Sequence, residues 1–177
     1  MAWEFDVLNW MQEHLRCGLL DTVMPIITFL GNGGWFWIAL TLVGFIPQKT
    51  RKYAFISAFA LICCLVFGNL ILKPCIARIR PFDVQTGIQL LIEKPHDYSF
   101  PSGHTQASFA TATAVFFKDK RWGIGALVLA ALIAFSRMYL YVHYPTDILT
   151  GVLFGVGYAI IGKLLVDFIF KKRVIAA

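Results

Sequence analysis

Charge is scarce in this sequence. Only 15% of its 177 residues are Asp, Glu, Lys or Arg, against 58% apolar residues and a mean hydropathy of +0.69, a balance that excludes an ordinary soluble domain. Cysteine is thin as well. Cys17, Cys63, Cys64 and Cys75 form no CxxC pair and two of them lie inside an apolar run, so neither a disulfide framework nor a zinc site is expected. The start, "MAWEFDVLNW", carries Glu4 and Asp6 where a targeting segment has a basic end and an unbroken apolar core, and no cleaved leader is expected. Repeats, low-complexity tracts and dividing linkers are missing too, which leaves one membrane domain over residues 1–177. No carboxylates cluster as magnesium or calcium ligands, so neither a metal nor any other cofactor is expected.

The net charge of +6 would point to nucleic acid in a soluble protein. Here the basic residues fall in short clusters between apolar runs, which is a mark of membrane topology, and no nucleic-acid partner is expected. The partner is the bilayer itself; nothing in the sequence specifies an oligomeric state.

What is present is an all-α pattern. Val7, Leu8, Met11 and Leu15 recur at helical spacing among Asn9, Gln12, Glu13 and Arg16, which predicts an amphipathic interfacial helix with Trp3 and Trp10 at the membrane boundary. Residues 21–46 are apolar but interrupted by Pro25 and by "GNGG" at 31–34. They read as a short interfacial helix followed by a short span, so that 1–33 are interfacial and 34–177 form the core. Residues 51–73, 122–142 and 146–170 are each long enough to cross about 30 Å of hydrocarbon. The helix opened by Ser102 reaches only to Phe117, about 16 residues or about 24 Å, so its start is expected to lie recessed below the membrane surface. About five crossings result, and "QKTRK" at 48–52, "KDKR" at 118–121 and "KKR" at 171–173 share one side, which is the cytoplasmic one. The segments 73–103 and 141–146 then face outward from the cell membrane.

Three polar segments fall on that outer side: "KPCIARIRP" at 73–81, "PSGH" at 101–104 and "SRMYLYVHYPTD" at 136–147. They bring Lys73, Arg80 and Arg137 as cations suited to phosphate oxygens. Ser102 and Gly103 add a helix start with free amides, a site for an anion. His143 and Asp147 lie four apart with Pro145 near the first turn of the last helix, so the carboxylate can hold the imidazole in one tautomer for attack on phosphorus. His104 remains as the acid for the leaving group. His14 and His96 lack positioned partners and read as surface residues, and Arg78 reads as an interfacial charge.

The pattern K-x6-RP, PSGH, SR-x5-H-x3-D resembles the type-2 phosphatidic acid phosphatase superfamily, which includes bacterial membrane lipid phosphatases and the vanadium haloperoxidases. It is carried by Lys73, Arg80 and Pro81, by Pro101 to His104, and by Ser136, Arg137, His143 and Asp147, with no departure at a motif position. The resemblance implies an all-helical membrane core and metal-independent hydrolysis of a lipid phosphomonoester or pyrophosphate through a phosphohistidine on His143. His104 is then the general acid, Asp147 orients His143, and Lys73, Arg80, Ser102, Gly103 and Arg137 bind phosphate. Undecaprenyl pyrophosphate, phosphatidylglycerol phosphate, phosphatidic acid and diacylglycerol pyrophosphate all fit as substrates. A lipid phosphotransferase and a non-catalytic lipid-phosphate-binding membrane protein are the competing readings. Retention of both histidines and Asp147 argues against the second.

Overall fold

The computed structural model describes the backbone of residues 2–175 and the side chains of residues 2–171. Lys172 and Arg173 of the third basic cluster therefore have side chains outside the described residues. Among the described residues there are helices and no strands. Helix α1 (Ala2–His14) buries Leu8 and Met11 as the periodicity predicts, and also Glu4, while Trp3 and Trp10 stay half exposed. Helix α2 (Gly18–Phe29) contains Pro25 and meets α3 (Trp35–Gly44) through a 3-10 turn at Asn32–Gly34. Gly33 and Gly34 take φ of +56° and +70° there, a left-handed backbone that side chains disfavour. The pair bends by 41°.

Helix α4 (Gln48–Cys63) runs into a π-helical stretch at Cys64–Leu72 and then α5 (Lys73–Ile76), which ends at Ala77 with φ of +49°. Such wide turns usually mark function. This one contains Asn69 and is followed by Lys73, both of which line the cavity described below. Arg80 is extended, as the residue before a proline tends to be, and precedes the short α6 (Pro81–Val84). An irregular loop leads to α7 (Gly103–Lys118), then α8 (Lys120–Tyr139) and α9 (Pro145–Ile175). Asp119 caps α8 by accepting from the Arg121 and Trp122 amides at 2.9 and 3.2 Å.

Among the described residues, three helical stretches are long and apolar enough to cross a membrane, and four if the bent α2–α3 pair counts as one span. The expected first span is thus shared between α2 and α3, because α3 alone has only 10 residues. Helix α7 has 16 residues and starts at a buried Ser102. Its neighbours α4, α8 and α9 enclose it. Large apolar side chains such as Leu19, Ile62, Leu153 and Leu164 are exposed, while Ser57, Gln106, Ser108 and Thr111 are buried beside the apolar core. That arrangement suits a hydrocarbon solvent. Thr41 and Ser57 share a hydrogen bond of 2.6 Å, and Ser57 donates to Thr111 at 3.0 Å, which ties α3, α4 and α7 together by the polar contacts that lipid cannot compete for.

Small residues let α9 approach α7. A Cβ at Gly155 would lie 2.5 Å from the Gln106 carbonyl oxygen, and one at Gly151 would lie 2.8 Å from Thr105 Cβ. Gly155→Val is therefore expected to destabilise the fold by about 1–3 kcal/mol, as overpacking does. A lowered thermal midpoint in detergent checks it; an unchanged midpoint would mean that the two backbones are not in this contact.

Candidate active site

The corner between α8 and α9 and the two segments leading to α6 and α7 meet at one end of the bundle. Lys73, Arg80, Gly103, His104, Arg137 and His143 all line a single cavity of about 970 Å³. It continues into a groove between α3 and α4 bounded by Ile38, Leu42, Phe45, Leu61 and Leu65. Six of the eight residues singled out from the sequence therefore share one space. Asp147 and Ser102 stand behind its wall, both fully buried.

His143 is oriented from its far side. Its Nδ1 lies 3.3 Å from Asp147 Oδ2, and Ser99 Oγ donates to that same oxygen at 2.5 Å. The Tyr144 amide also donates to it, at 3.0 Å. With Nδ1–H given to Asp147, the lone pair sits on Nε2, which faces Arg80 Nη1 at 3.3 Å. Burial first, and then the charges of Arg80, Arg137 and Lys73, hold the imidazole well below its ordinary pKa, with Asp97 opposing. A ring that is neutral at pH 7 follows.

Arg80 does two jobs. Nε and Nη2 donate to the Asp97 carbonyl oxygen and Oδ1 at 2.7 and 2.6 Å, while Nη1 donates to the Val142 carbonyl at 2.6 Å. It thereby fastens the loop before α7 to the corner carrying His143. Lys73 bonds Asp97 and donates to the Tyr98 carbonyl at 3.1 Å. Burial would raise the Asp97 carboxyl, but the hydrogen bonds and charges of Lys73 and Arg80 hold it well below the usual carboxylate range. Arg137 is almost wholly buried and donates through Nη1 to Thr28 at 2.7 Å, and among the described residues its buried Nε has no hydrogen-bond partner. That leaves a donor free toward an anion.

At the start of α7, Ser102 Oγ caps the helix by accepting from the Thr105 amide at 3.4 Å and from its hydroxyl at 2.9 Å. His104 is held by Asn32, whose Oδ1 lies 2.9 Å from Nε2. Gly31 packs so closely on the ring that a Cβ there would meet His104 Cδ2 at 2.5 Å.

Sequence reasoning passed over several members of this site. Thr28, Gly31 and Asn32 come from a stretch read only for its breaks; Asp97 and Ser99 come from a loop with no motif. An Asn inside a glycine-rich turn was the available signal for Asn32. Arg78 differs from its expected role: its guanidinium is mostly buried and donates to Asp147, Glu4 and Thr146 instead of resting in the interface. His14 and His96 are exposed as expected. Among the described residues, no three His, Cys, Asp or Glu side chains are grouped to hold a metal ion.

The chain matches the family model of the PAP2 superfamily over residues 51–171. It is 30% identical to an undecaprenyl-diphosphatase of Sulfolobus acidocaldarius over 154 residues, covering 85% of this chain and 71% of that one. The crystal structure of Aquifex aeolicus LpxE superposes with a TM-score of 0.82 at 28% identity, over 92% of this chain and 95% of the other. A PAP2-type phosphatidylglycerolphosphate phosphatase from Bacillus subtilis gives a TM-score of 0.74 at 26% identity, over 97% of this chain and 86% of that one.

Proposed function

Because the chain belongs to the PAP2 superfamily and is a membrane lipid phosphatase, we propose that it works through a phosphohistidine on His143, without a metal, at the extracytoplasmic face of the cell membrane. Lys73, Arg80 and Arg137 bind the phosphate, aided by Gly103 and by the amides behind the Ser102 cap. The His143 Nε2 lone pair forms a bond to phosphorus as the bond to the leaving oxygen breaks, and His104 gives that oxygen a proton. His104 then takes a proton from water, which attacks phosphorus, releases phosphate and returns His143 to its neutral form. Asp147 holds the Nδ1 proton and stabilises the positive ring of the intermediate.

The observation that carries this reading is the shared cavity. Three cations and the free nitrogen of an oriented imidazole face one space, and that space opens into an apolar groove able to take a lipid chain. The cations supply the charge neutralisation for which many phosphatases use metal ions. Five crossings, with the short α7 recessed and α2–α3 acting as one bent span, agree with the basic clusters lying on the opposite side. Among lipids, the polyprenyl pyrophosphates come first, because a relative is named for undecaprenyl pyrophosphate. A phosphatidylglycerol phosphate phosphatase is also a relative, and this substrate comes second.

The test is phosphate release by the purified protein from both lipids, with phosphatidic acid beside them, in excess EDTA. Full activity in the chelator is expected, with undecaprenyl pyrophosphate hydrolysed fastest. Activity lost in EDTA and restored by magnesium would overturn the metal-free mechanism.

A further inference from the structure

An interfacial helix has every reason to keep its carboxylates in water, yet Glu4 of α1 is only 3% exposed. Burying a charge is costly unless it is paired. Glu4 Oε1 accepts from the Thr146 hydroxyl at 2.6 Å, and Oε2 accepts from Arg78 Nη2 at 2.6 Å. The other arm of the same guanidinium, Nη1, donates to Asp147 Oδ1 at 2.6 Å and to Thr146 Oγ1 at 2.7 Å. The guanidinium carbon lies over the Tyr144 ring, 3.9 Å from its centre. Arg78 is thus one cation between two carboxylates.

We propose that Glu4 is a positioning residue of the catalytic centre, acting through Arg78 on Asp147 and through Asp147 on the orientation and charge of His143. The proposal rests on the reading of His143 as nucleophile. Asp147 divides its two oxygens. Oδ2 serves His143, Ser99 and the Tyr144 amide, and Oδ1 is gripped by Arg78. An arginine alone on Oδ1 would fix the carboxylate in place but neutralise it, weakening its support for a ring that must become positive. The second carboxylate restores the negative charge of the group while keeping Arg78 in place. Glu4, Arg78 and Asp147 together carry one net negative charge, which balances the positive phosphohistidine ring.

The arrangement also ties the first helix to the catalytic corner. Phe5 meets Tyr144 edge to face at 5.5 Å, the Tyr141 hydroxyl donates to Asn9 at 2.7 Å, and Gln12 donates to the Tyr139 carbonyl at 2.8 Å. Glu4 does not line the cavity, so substrate contact is not what its loss would remove.

The remaining charges around His143 are Arg80 beside Nε2, Arg137 and Lys73 across the cavity, Asp97 between Lys73 and Arg80, and His104 from α7. All stay in place in Glu4→Gln, so a change in titration isolates the network behind the ring. Removing a negative charge there favours the neutral ring. The acid limb of kcat/KM for undecaprenyl pyrophosphate is then expected to move down by roughly one pH unit relative to wild type. The kcat plateau is expected to fall by about tenfold with KM little changed, because the positive intermediate loses support. Glu4→Asp, which keeps the charge, should return the limb to its wild-type position. A purely architectural role predicts a lower thermal midpoint with the limb unmoved in both variants, and that result, or a wild-type profile in Glu4→Gln, would overturn the proposal. His143→Ala separates the two layers. If it still takes up phosphate label, the nucleophile reading fails and this inference with it; if it is inert beside an unmoved Glu4→Gln profile, only the role of Glu4 fails.

Discussion

His143→Ala is expected to form no covalent phosphoenzyme with any substrate, and its turnover to fall by about 10⁵-fold or more, as when a nucleophile is removed from a site whose other parts depend on it. His104→Ala fails differently. Its expected loss is about 10²–10⁴-fold for a lipid leaving group that must be protonated, while it should still become phosphorylated by p-nitrophenyl phosphate, whose leaving oxygen needs little help. The structural basis is the contrast between the rings. His143 has its Nδ1 turned to Asp147 and its Nε2 turned to Arg80 and the cavity, whereas His104 stands at the start of α7 held by Asn32. Quenching a radiolabelled reaction in alkaline detergent, which preserves phosphohistidine, and mapping the labelled peptide reads the outcome. Label on His104 in the His143→Ala protein would exchange the two roles.

Arg137→Lys is expected to lower kcat/KM by about 10²–10³-fold, the scale of losing a preorganised donor to a developing oxyanion. Among the three cations, Arg137 gives the cleanest test. Arg80 also braces the loop at Asp97 and the corner at Val142, and Lys73 is bonded to Asp97, so their substitutions would disturb structure as well as binding. Among the described residues, Arg137 is held through Nη1 by Thr28, and its buried Nε has no hydrogen-bond partner. A lysine there keeps the charge but offers a point donor where a planar fork was placed. Steady-state kinetics beside a thermal melt separates this from misfolding. Wild-type turnover in Arg137→Lys would remove the residue from the phosphate site.

The sequence by itself determined the all-helical membrane character and pointed to eight motif residues, six of which line one cavity. The reason is contrast: in a chain with so little charge, Lys73, Arg80, Arg137 and Asp147 beside long apolar runs stand out, because lipid tolerates such groups only where they serve a purpose. A separation of only four residues likewise made the His143–Asp147 pair legible, since that is a local distance. What only the tertiary structure decided is the company these residues keep. Glu4 reaches Arg78 across 74 positions, Asn32 reaches His104 across 72, Thr28 reaches Arg137 across 109 and Ser99 reaches Asp147 across 48. Each is an ordinary polar residue in its own neighbourhood, where capping, solvation and interfacial placement explain it equally well. Its meaning depends on which helix faces which, and that is settled by close approach at Gly151, Gly155 and Gly31, by the bend at Gly33 and Gly34 and by the wide turns of the π-helical stretch. Side-chain hydrogen bonds form only over about 3 Å. Residues 74 or 109 positions apart come within that reach only after the whole bundle has packed, so no local pattern in the sequence could carry them.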